Sequence, residues 1–297
     1  MNSLEVSIII PNYNGKSLLV KNLPTVVKAL QNKANNIKEI IIVDDASTDE
    51  SVKYIKSNFP FIKLFKHTQN RGFSASVNMG ARMAKGELLC LLNTDVSLTK
   101  NFLKEVIDIF KDKTVFGVSL TEQSRGAPQG KFENGYVVWE SGKKYDELTS
   151  TFWISGGSGV FSRTIWMKLK GMDEELFTPF YWEDIDISYR ALKRGYKLYW
   201  HPKAKVVHNH ESTIGALDQK RTSMIKERNQ LLFIWKNITS KRLIRLHIQG
   251  LISRTLKHPG YIKIIFMALK KRTAVMKKRK IESQKEVVSD EAIFNRF

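Results

Sequence analysis

VSIIIPNYNG, residues 6–15, is a short β-branched apolar run that ends abruptly at a proline and polar residues. Because polar residues hardly interrupt it, the run Val6–Ile10 predicts a strand buried on both faces of a parallel sheet. The same pattern returns at Glu39–Val43, which stops at Asp44-Asp45. Between the two runs, Ser17–Lys33 carries apolar residues at helical spacing, so the unit predicts a strand, a helix and a second strand.

The alternation of strands and helices continues along the first 115 residues. Further strands are predicted at Ile62–Lys66 and Glu87–Leu92. Further helices are predicted to begin near Ser47 and to span Ala75–Ala84 and Thr99–Phe110. Since this alternation is typical of α/β domains, we predict a mostly parallel, Rossmann-like sheet with helices on both faces.

The pattern is less regular between residue 116 and the basic C-terminal part. Residues 116–152 predict a meander or long loops, and the glycines at 156–159 predict a loop whose backbone approaches a ligand closely. A helix at Ile185–Lys193 and short strands at Tyr196–Trp200 and Lys205–Val207 are expected next. From Gln219 onward the sequence predicts basic helices.

The composition is that of an ordinary globular protein. The 297 residues are 42% hydrophobic and 26% charged, which permits a sizeable core and excludes wholesale disorder. Cys90 is the only cysteine, so no disulfide can form within the chain and a reducing compartment is expected. The N-terminus resembles no signal peptide, and no apolar stretch is long enough for a membrane span. These features predict a cytoplasmic protein.

The net charge of +20 is concentrated in the C-terminal part. Between Lys220 and Lys280 there are 18 Lys and Arg residues and one acid, Glu227. Apolar residues lie among these cations, as in amphipathic helices that bind anionic membranes. We therefore predict peripheral attachment to the inner face of the cell membrane. The alternatives are a helical lid on the rest of the fold, which is compatible with attachment, and a solvated charged face.

Polar clusters follow three of the predicted strands: Asn12-Tyr13-Asn14, Asp44-Asp45 and Asn93-Thr94-Asp95. Ligands bind at the carboxyl ends of strands in such sheets, so these turns are expected to meet at one crevice. Carboxylates there can accept hydrogen bonds from a nucleotide base and ribose. Asp95 can bind Mg²⁺ or Mn²⁺, which prefer oxygen ligands. The alternatives are a helix cap formed at Asp44-Asp45, and a turn or cap formed by Asp95.

The most informative hexapeptide is YWEDID at residues 181–186. Its three acids favour a helix N-terminus through the helix dipole, which is the purely structural interpretation. The dipole does not account for the adjacent aromatic residues. An apolar wall can raise the pKa of a carboxyl toward that of a general base, and a flat ring can hold a sugar. His208 is either a structural histidine or a third ligand to a cation in the crevice.

These residues resemble the family 2 glycosyltransferases, which have the GT-A fold. The resemblance rests on motifs that follow the family's order: VSIIIPNYNG, IIIVDDASTD, NRGFSASVNMG, LLNTDV, GGSGVFSR, FYWEDIDISYRALKRGY and AKVVH. Within the family the chain looks most like the rhamnosyltransferase-like enzymes of bacterial surface polysaccharides. The resemblance implies a catalytic domain at 1–215, with a nucleotide-binding half at about 1–115 and an acceptor half at about 116–215. A basic amphipathic helical region follows at 216–297.

The resemblance also implies roles for individual residues. Asp184 would be the general base, with Glu183 beside it, and Asp95 and His208 would bind the metal ion. Gly157, Ser158 and Trp182 would lie near the donor sugar and the acceptor. The nucleotide pocket would contain Pro11, Asn12, Tyr13, Asn14, Asp44, Asp45, Arg71, Asn78, Asn93 and Thr94. Asn93 departs from the family's pattern, since it stands where the fullest DxD metal-binding motif has its first aspartate.

The implied reaction is the inverting transfer of a sugar from a nucleotide-sugar to an acceptor hydroxyl, in the assembly of cell-surface polysaccharide or glycolipid. Its partners would be the donor, a glycan or lipid-linked sugar acceptor, and a Mg²⁺ or Mn²⁺ ion. A noncatalytic nucleotide-sugar-binding scaffold on the same fold is the main alternative. A nucleic-acid binder leaves the acids at the strand ends unexplained, so nucleic acid is not an expected partner. A nucleotidyltransferase leaves the segment Trp182-Glu183-Asp184 unexplained.

Overall fold

The structure, a computed structural model, describes residues 4–122, 125–208 and 218–297. Its strands are β1 (Val6–Asn12), β2 (Ile37–Asp44), β3 (Lys63–Lys66), β4 (Leu88–Leu92), β5 (Val96–Leu98), β6 (Val115–Glu122), β7 (Pro128–Glu133), β8 (Tyr136–Ser141), β9 (Thr149–Ser150), β10 (Ser158–Ser162) and β11 (Lys197–His208). Its helices are α1 (Lys16–Gln31), α2 (Ser51–Asn58), α3 (Phe73–Met83), α4 (Arg163–Lys168), α5 (Glu183–Lys193), α6 (Gln219–Asn237), α7 (Lys241–Lys257), α8 (Ile262–Leu269), α9 (Arg272–Ser283) and α10 (Asp290–Phe294).

One large sheet organises the molecule. Its strand order in the described residues is β3-β2-β1-β4-β10-β6-β11-β5, with β9 beside β11. Strands β3, β2, β1 and β4 are parallel, and β11 runs parallel to β6. Strand β10 lies antiparallel between β4 and β6. A separate antiparallel hairpin is formed by β7 and β8. The predicted mostly parallel α/β sheet is confirmed.

Helices cover both faces of the sheet because its strands are apolar on both sides. Successive residues of β1 point to opposite faces. Ile8 packs in a core cluster with Leu19 of α1, whereas Ile9 belongs to a second cluster with Val77 of α3. Helix α3 lies close to β1 at Gly80, where an added Cβ would lie 2.5 Å from Ile9 Cγ2.

The C-terminal helices share the second of these clusters. Phe233 of α6 and Ile293 of α10 are fully buried in it. Buried ion pairs also link these helices to α5: Lys236 Nζ lies 2.8 Å from Asp186 Oδ1, and Lys193 Nζ lies 2.7 Å from Asp290 Oδ1. The helices therefore pack on the sheet domain rather than standing apart from it. The predicted boundary between residues 215 and 216 lies outside the described residues, and the domain division stays a prediction.

The prediction of a helix at Thr99–Phe110 is wrong. Turns occupy this stretch, followed by a 3₁₀ helix at Ile107–Lys111. Two asparagines far back in the chain bind its backbone: Asn32 and Asn35 donate to Lys100 O, and Asn35 Oδ1 accepts from Leu103 N. These bonds favour three-residue turns over α-helical ones, while the apolar side chains of the stretch still reach the core.

Three smaller expectations also differ from the structure. The helix expected near Ser47 begins at Ser51, because the preceding residues bind Asn14: Ser47 Oγ accepts from Asn14 N, and Asn14 Oδ1 accepts from Thr48 N. The two short strands expected around residues 196–207 form one strand, β11, with an irregular register between His201 and Lys205. The irregular stretch that starts at residue 116 includes most of β6, a strand in the interior of the sheet.

Candidate active site

A cavity of about 740 Å³ opens where β1, β2 and β4 end. We call it the donor-side cavity. Asp45 and Asp95 face this one space, as the convergence of the strand ends predicted, and Asp184 at the start of α5 faces it too. The predicted site residues that line it are Pro11, Asn12, Tyr13, Asn14, Asp45, Asn93, Thr94, Asp95, Gly157, Glu183 and Asp184.

The two adjacent aspartates at the end of β2 have different surroundings. Asp44 is fully buried and does not line the cavity; its carboxylate accepts from Asn12 Nδ2 at 2.9 Å and from Ser47 N at 3.0 Å. Asp45 faces the cavity and accepts from the backbone N–H groups of Arg71 and Gly72 at 2.7 and 2.8 Å. Burial raises the pKa of Asp45 although both amides lower it. Asp44 therefore holds the Asn12 side chain in place by a hydrogen bond. Asp45 in turn holds the loop at Arg71 and Gly72, which borders the cavity.

Besides Asp44, two more predicted nucleotide-binding residues, Arg71 and Asn78, do not line the cavity. The guanidinium of Arg71 lies 3.2 Å from Glu174, and its backbone N–H binds Asp45. The Asn78 side chain donates to Met172 O and to Glu174 Oε1, and accepts from Met172 N. Both side chains thus fasten the segment around Glu174 to α3 and the preceding loop.

Asn93 and Gly157 meet on the floor of the cavity. Asn93 N donates to Gly157 O at 2.9 Å, which joins the end of β4 to the glycine-rich loop. A Cβ at Gly157 would lie 2.4 Å from Asn93 Nδ2, so any larger residue at this position would displace the Asn93 amide. The loop predicted to bring backbone near a ligand therefore lies directly against an amide that faces the cavity.

Asp95 and His208 lie side by side. His208 Nε2 is 3.0 Å from Asp95 Oδ1, and His208 Nδ1 is 2.8 Å from Glu122 Oε1, which also accepts from Ser158 Oγ. Burial lowers the pKa of His208, but its contacts with the two carboxylates raise it to about 9. The buried Asp95 Oδ2 has no hydrogen-bond partner among the described residues. Within those residues no group of three or more His, Cys, Asp and Glu side chains has the arrangement of a metal site.

Asp184 and Glu183 open helix α5. Asp184 Oδ1 accepts from Ile185 N at 2.8 Å, and Oδ2 faces Gly156 N at 3.3 Å. Burial raises the pKa of Asp184 despite these amides. The pKa of Glu183 is raised well above its ordinary value, first by burial and then by the charge of Asp184. Asp184 accepts hydrogen bonds from Ile185 and Gly156, which favour its ionised form.

A second cavity, of about 320 Å³, lies on the other side of Asp184. We call it the aromatic cavity, because Trp139, Trp153, Tyr181, Trp182 and Trp200 line it. Asp184, Tyr181 and Ser155 line both cavities, so Asp184 lies where the two cavities adjoin. Of the residues expected near the sugar and acceptor, Gly157 lines the donor-side cavity and Trp182 the aromatic one, while Ser158 is buried beside Glu122.

The turn before α5 is held in an unusual conformation. Tyr181 and Trp182 have φ angles of 71° and 76°, in the left-handed region that non-glycine residues rarely adopt. Asn229 of α6 is fully buried and donates to Tyr181 O at 2.8 Å and to Phe180 O at 2.9 Å. The Trp182 ring packs on Phe233 of α6, with ring centroids 5.1 Å apart. Helix α6 therefore holds the strained turn that presents Asp184.

Sequence reasoning missed the contribution of α6 to both cavities. Arg221, Thr222 and Ile225 line the donor-side cavity, and Lys226 lines the aromatic one. Their contact with the site depends on how the C-terminal helices fold back, for which local spacing carries no signal. Trp153 was also missed, whereas Tyr181 belongs to the hexapeptide YWEDID, of whose two aromatic residues only Trp182 was assigned to the site.

Comparison with known proteins places these features in a family. The model described as Glycosyl transferase family 2 matches residues 7–177. The dolichol-phosphate mannosyltransferase of Pyrococcus furiosus is 28% identical over 135 residues, which cover 44% of this chain. The matched stretch spans only 36% of that relative.

Solved structures share the fold at low sequence identity. The structure of GalNAc-T7 with UDP, GalNAc and Mn²⁺ has a TM-score of 0.66 and 18% identity, and the match covers 88% of this chain and 57% of that one. The mannosyltransferase PcManGT from Pyrobaculum calidifontis, in complex with GDP-Man and Mn²⁺, has a TM-score of 0.59 and 16% identity, covering 100% and 89%. These likenesses confirm the predicted GT-A fold.

Proposed function

This chain belongs to glycosyl transferase family 2, and on that basis we propose that it moves a sugar from a nucleotide-sugar to an acceptor hydroxyl with inversion at the anomeric carbon. The product would be a cell-surface polysaccharide or glycolipid. The rhamnosyltransferase-like subgroup stays a prediction. Nucleotides or nucleotide-sugars in the similar structures support a donor of this class.

The observation that carries the proposal is the position of Asp184 between two cavities. A hydroxyl is a poor nucleophile at neutral pH, and a carboxylate that removes its proton speeds attack by about 10²–10⁴-fold. Burial raises the pKa of Asp184, which strengthens it as a base. On this proposal, the acceptor in the aromatic cavity would attack a donor in the other cavity from the face opposite its leaving group. Such an attack inverts the anomeric carbon and needs one carboxylate.

A divalent cation fits beside Asp95. The buried Asp95 Oδ2 lacks a hydrogen-bond partner in the described part of the chain, and Mg²⁺ and Mn²⁺ prefer such oxygens. His208 could ligate through Nε2 while Nδ1 stays bonded to Glu122, the arrangement usual for metal-binding histidines. Few protein ligands suffice, because substrate phosphates and water complete the shell of such ions. A bound ion would stabilise the negative charge on the departing diphosphate.

Asp184→Asn is the test of the proposed base. The Asn amide oxygen can keep the 2.8 Å bond from Ile185 N, and the change sacrifices only the longer 3.3 Å bond from Gly156 N, so the fold and the donor-side cavity should persist. We expect kcat to fall by about 10²–10⁴-fold. Release of UDP or GDP from a panel of UDP- and GDP-sugars with Mn²⁺ measures turnover, and thermal shift with the same compounds measures donor binding.

Asp146→Asn, the same change at an exposed position, is the matched control and should leave both readouts unchanged. Near-normal turnover in Asp184→Asn would remove Asp184 from the base role. Nucleotide-sugar binding by the unmodified protein, without turnover under any donor and acceptor tried, would favour the noncatalytic scaffold.

We also propose that α7 and α8 attach the protein to an anionic membrane surface. Ile248, Ile252 and Leu256 are exposed and lie four residues apart, along one face of α7. Phe266 of α8 is 59% exposed. Exposed cations flank these side chains on both helices: Arg245, Lys257, Lys263 and Lys270. Apolar insertion combined with basic charge is the pattern of interfacial helices. Within the described residues no helix is both long and apolar enough to cross a bilayer.

Vesicle sedimentation tests this attachment. The variant Ile252→Glu/Phe266→Glu should lose most binding to phosphatidylglycerol vesicles, because each change opposes insertion and adds repulsion. Val287 lies outside these helices and is 78% exposed, so Val287→Glu is the matched control. Binding that survives the double change, or equal binding to neutral phosphatidylcholine vesicles, would refute the attachment.

A further inference from the structure

The aromatic cavity has the aromatic side chains of a carbohydrate-binding site together with the positively charged side chain of Lys226. Trp139 of the β7–β8 hairpin and Trp153 lie edge to face, with ring centroids 5.3 Å apart. These two side chains and Tyr181 line the cavity with aromatic rings, and the C–H face of a sugar can pack against them. The hairpin lies outside the main sheet and brings Trp139 to the cavity.

Lys226 of α6 places a positive charge at this cavity. Its Nζ lies 4.9 Å from the centre of the Trp139 ring and 5.6 Å from that of Tyr181. Cation–π attraction therefore holds the ammonium group over the cavity wall. In the described residues Lys226 has no carboxylate partner, although its helix neighbour Glu227 is paired with Arg254. Within the described part of the chain, the ammonium group is thus available to bind an anion.

The other charged residues that line the cavity do not neutralise the positive charge of Lys226. Glu122 is engaged by Ser158 and His208, and Arg125 lies 3.6 Å from it. Asp184 stands at the boundary with the donor-side cavity, where an acceptor hydroxyl would have to reach. A ligand that spans the cavity would therefore place a hydroxyl at Asp184 and another substituent near Lys226.

We infer that the aromatic cavity binds an acidic saccharide, whose ring packs on Trp139 and whose phosphate or carboxylate binds Lys226. This inference rests on the proposed function, because it identifies the saccharide as the acceptor whose hydroxyl Asp184 deprotonates. The shared chemistry is a pyranose with an anionic substituent, and both a sugar phosphate and a uronic acid have it. Binding of the acceptor can be measured without turnover.

The experiment titrates the protein with four monosaccharides and follows tryptophan fluorescence and saturation-transfer NMR. Glucuronic acid and N-acetylglucosamine 1-phosphate are the acidic probes, and glucose and N-acetylglucosamine are their neutral counterparts. We expect at least one acidic probe to bind about tenfold more tightly than its counterpart, as a charge-assisted hydrogen bond provides. The acidic probe that binds more tightly shows whether the cavity prefers a phosphate or a carboxylate.

Lys226→Met should abolish the advantage of the acidic probe and leave the neutral sugars unchanged. Trp139→Leu should weaken acidic and neutral sugars alike by several-fold, because it removes the stacking surface. Lys220→Met is the matched control, since Lys220 is exposed on the same helix and lines neither cavity. Equal affinity for acidic and neutral sugars, an unchanged preference in Lys226→Met, or no binding of any probe would each overturn the inference.

Failure of the proposed function has a different signature. It would show as absent nucleotide-sugar binding and turnover in the unmodified protein, which the saccharide titration does not measure. Thermal shift with nucleotide-sugars should be the same for Lys226→Met, Trp139→Leu and the unmodified protein, because neither residue lines the donor-side cavity.

Discussion

Replacing Lys236 by methionine tests what holds the C-terminal helices to the rest of the fold. The Lys236 side chain is 3% exposed, and its Nζ lies 2.9 Å from Asp173 Oδ2 and 2.8 Å from Asp186 Oδ1. Asp186 also pairs with Arg190, and Asp173 with Lys278. Methionine keeps an unbranched chain in this space but removes a cation shared by two buried carboxylates.

The expected cost follows from the charges that remain. Removing one partner of a buried ion pair typically costs about 3–5 kcal/mol, because the other charge stays buried without compensation. Here Arg190 and Lys278 still face the two carboxylates, so we expect the lower end, about 3 kcal/mol. At about 2–4 °C per kcal/mol for large domains, the melting temperature should fall by roughly 6–12 °C.

Urea unfolding and calorimetry measure this change. Lys220→Met, the same substitution at an exposed position of α6, should stay within about 0.5 kcal/mol of the unmodified protein. Adding Asp173→Asn to Lys236→Met should recover part of the loss, since it removes one of the uncompensated carboxylates. A loss below about 1 kcal/mol in Lys236→Met would refute the view that this buried cluster fastens the C-terminal helices.

Three further predictions concern pH, a glycine and the cysteine. Burial raises the pKa values of Asp173 and Asp186, but the cations around them lower both on balance. The two carboxylates therefore stabilise the folded state above the ordinary carboxyl pKa of about 4, and this stabilisation is lost as the pH falls below that value. Unfolding free energies measured from pH 6 to pH 3 should fall, and less steeply in Lys236→Met; parallel curves would contradict this. Gly157→Ala should lower kcat/KM on the order of 10–100-fold, because its Cβ would displace the Asn93 amide, and unchanged kinetics would show that this contact is dispensable. Cys90 is fully buried, which raises the pKa of its thiol, so a thiol reagent should label it only when urea unfolds the protein; rapid labelling of the native protein would disprove its burial.

The convergence of residues on the donor-side cavity could be predicted because local sequence determines it. The strands of the parallel half are apolar runs that end at polar residues, and the carboxyl ends of parallel strands meet at one edge. Asp45 and Asp95 were found in this way. Asp44 was assigned to the same pocket, but side chains alternate along an extended chain, so neighbouring residues point in different directions. Asp44 points to Asn12 inside the fold instead.

Other features depend on contacts that spacing does not record. Strand β6 includes Gly117 and Ser119, which weaken its apolar pattern, yet it lies in the interior of the sheet. The stretch from Thr99 to Phe110 has helical apolar spacing, but Asn32 and Asn35 bind its backbone from another part of the chain. Their bonds cross more than 60 positions, so no window of local sequence contains both partners.

Helix α6 makes the C-terminal part of the chain a component of the site. Along its length Arg221 lines the donor-side cavity, Lys226 lines the aromatic cavity, Asn229 holds the strained turn before Asp184, and Lys236 closes the buried ion cluster. Deleting the C-terminal helices would therefore expose the core cluster around Phe233 and dismantle both cavities at once. A truncated chain that lost membrane binding and activity together would reveal nothing about either. For that reason, point substitutions on the exposed faces of α7 and α8 separate attachment from catalysis, whereas truncation does not.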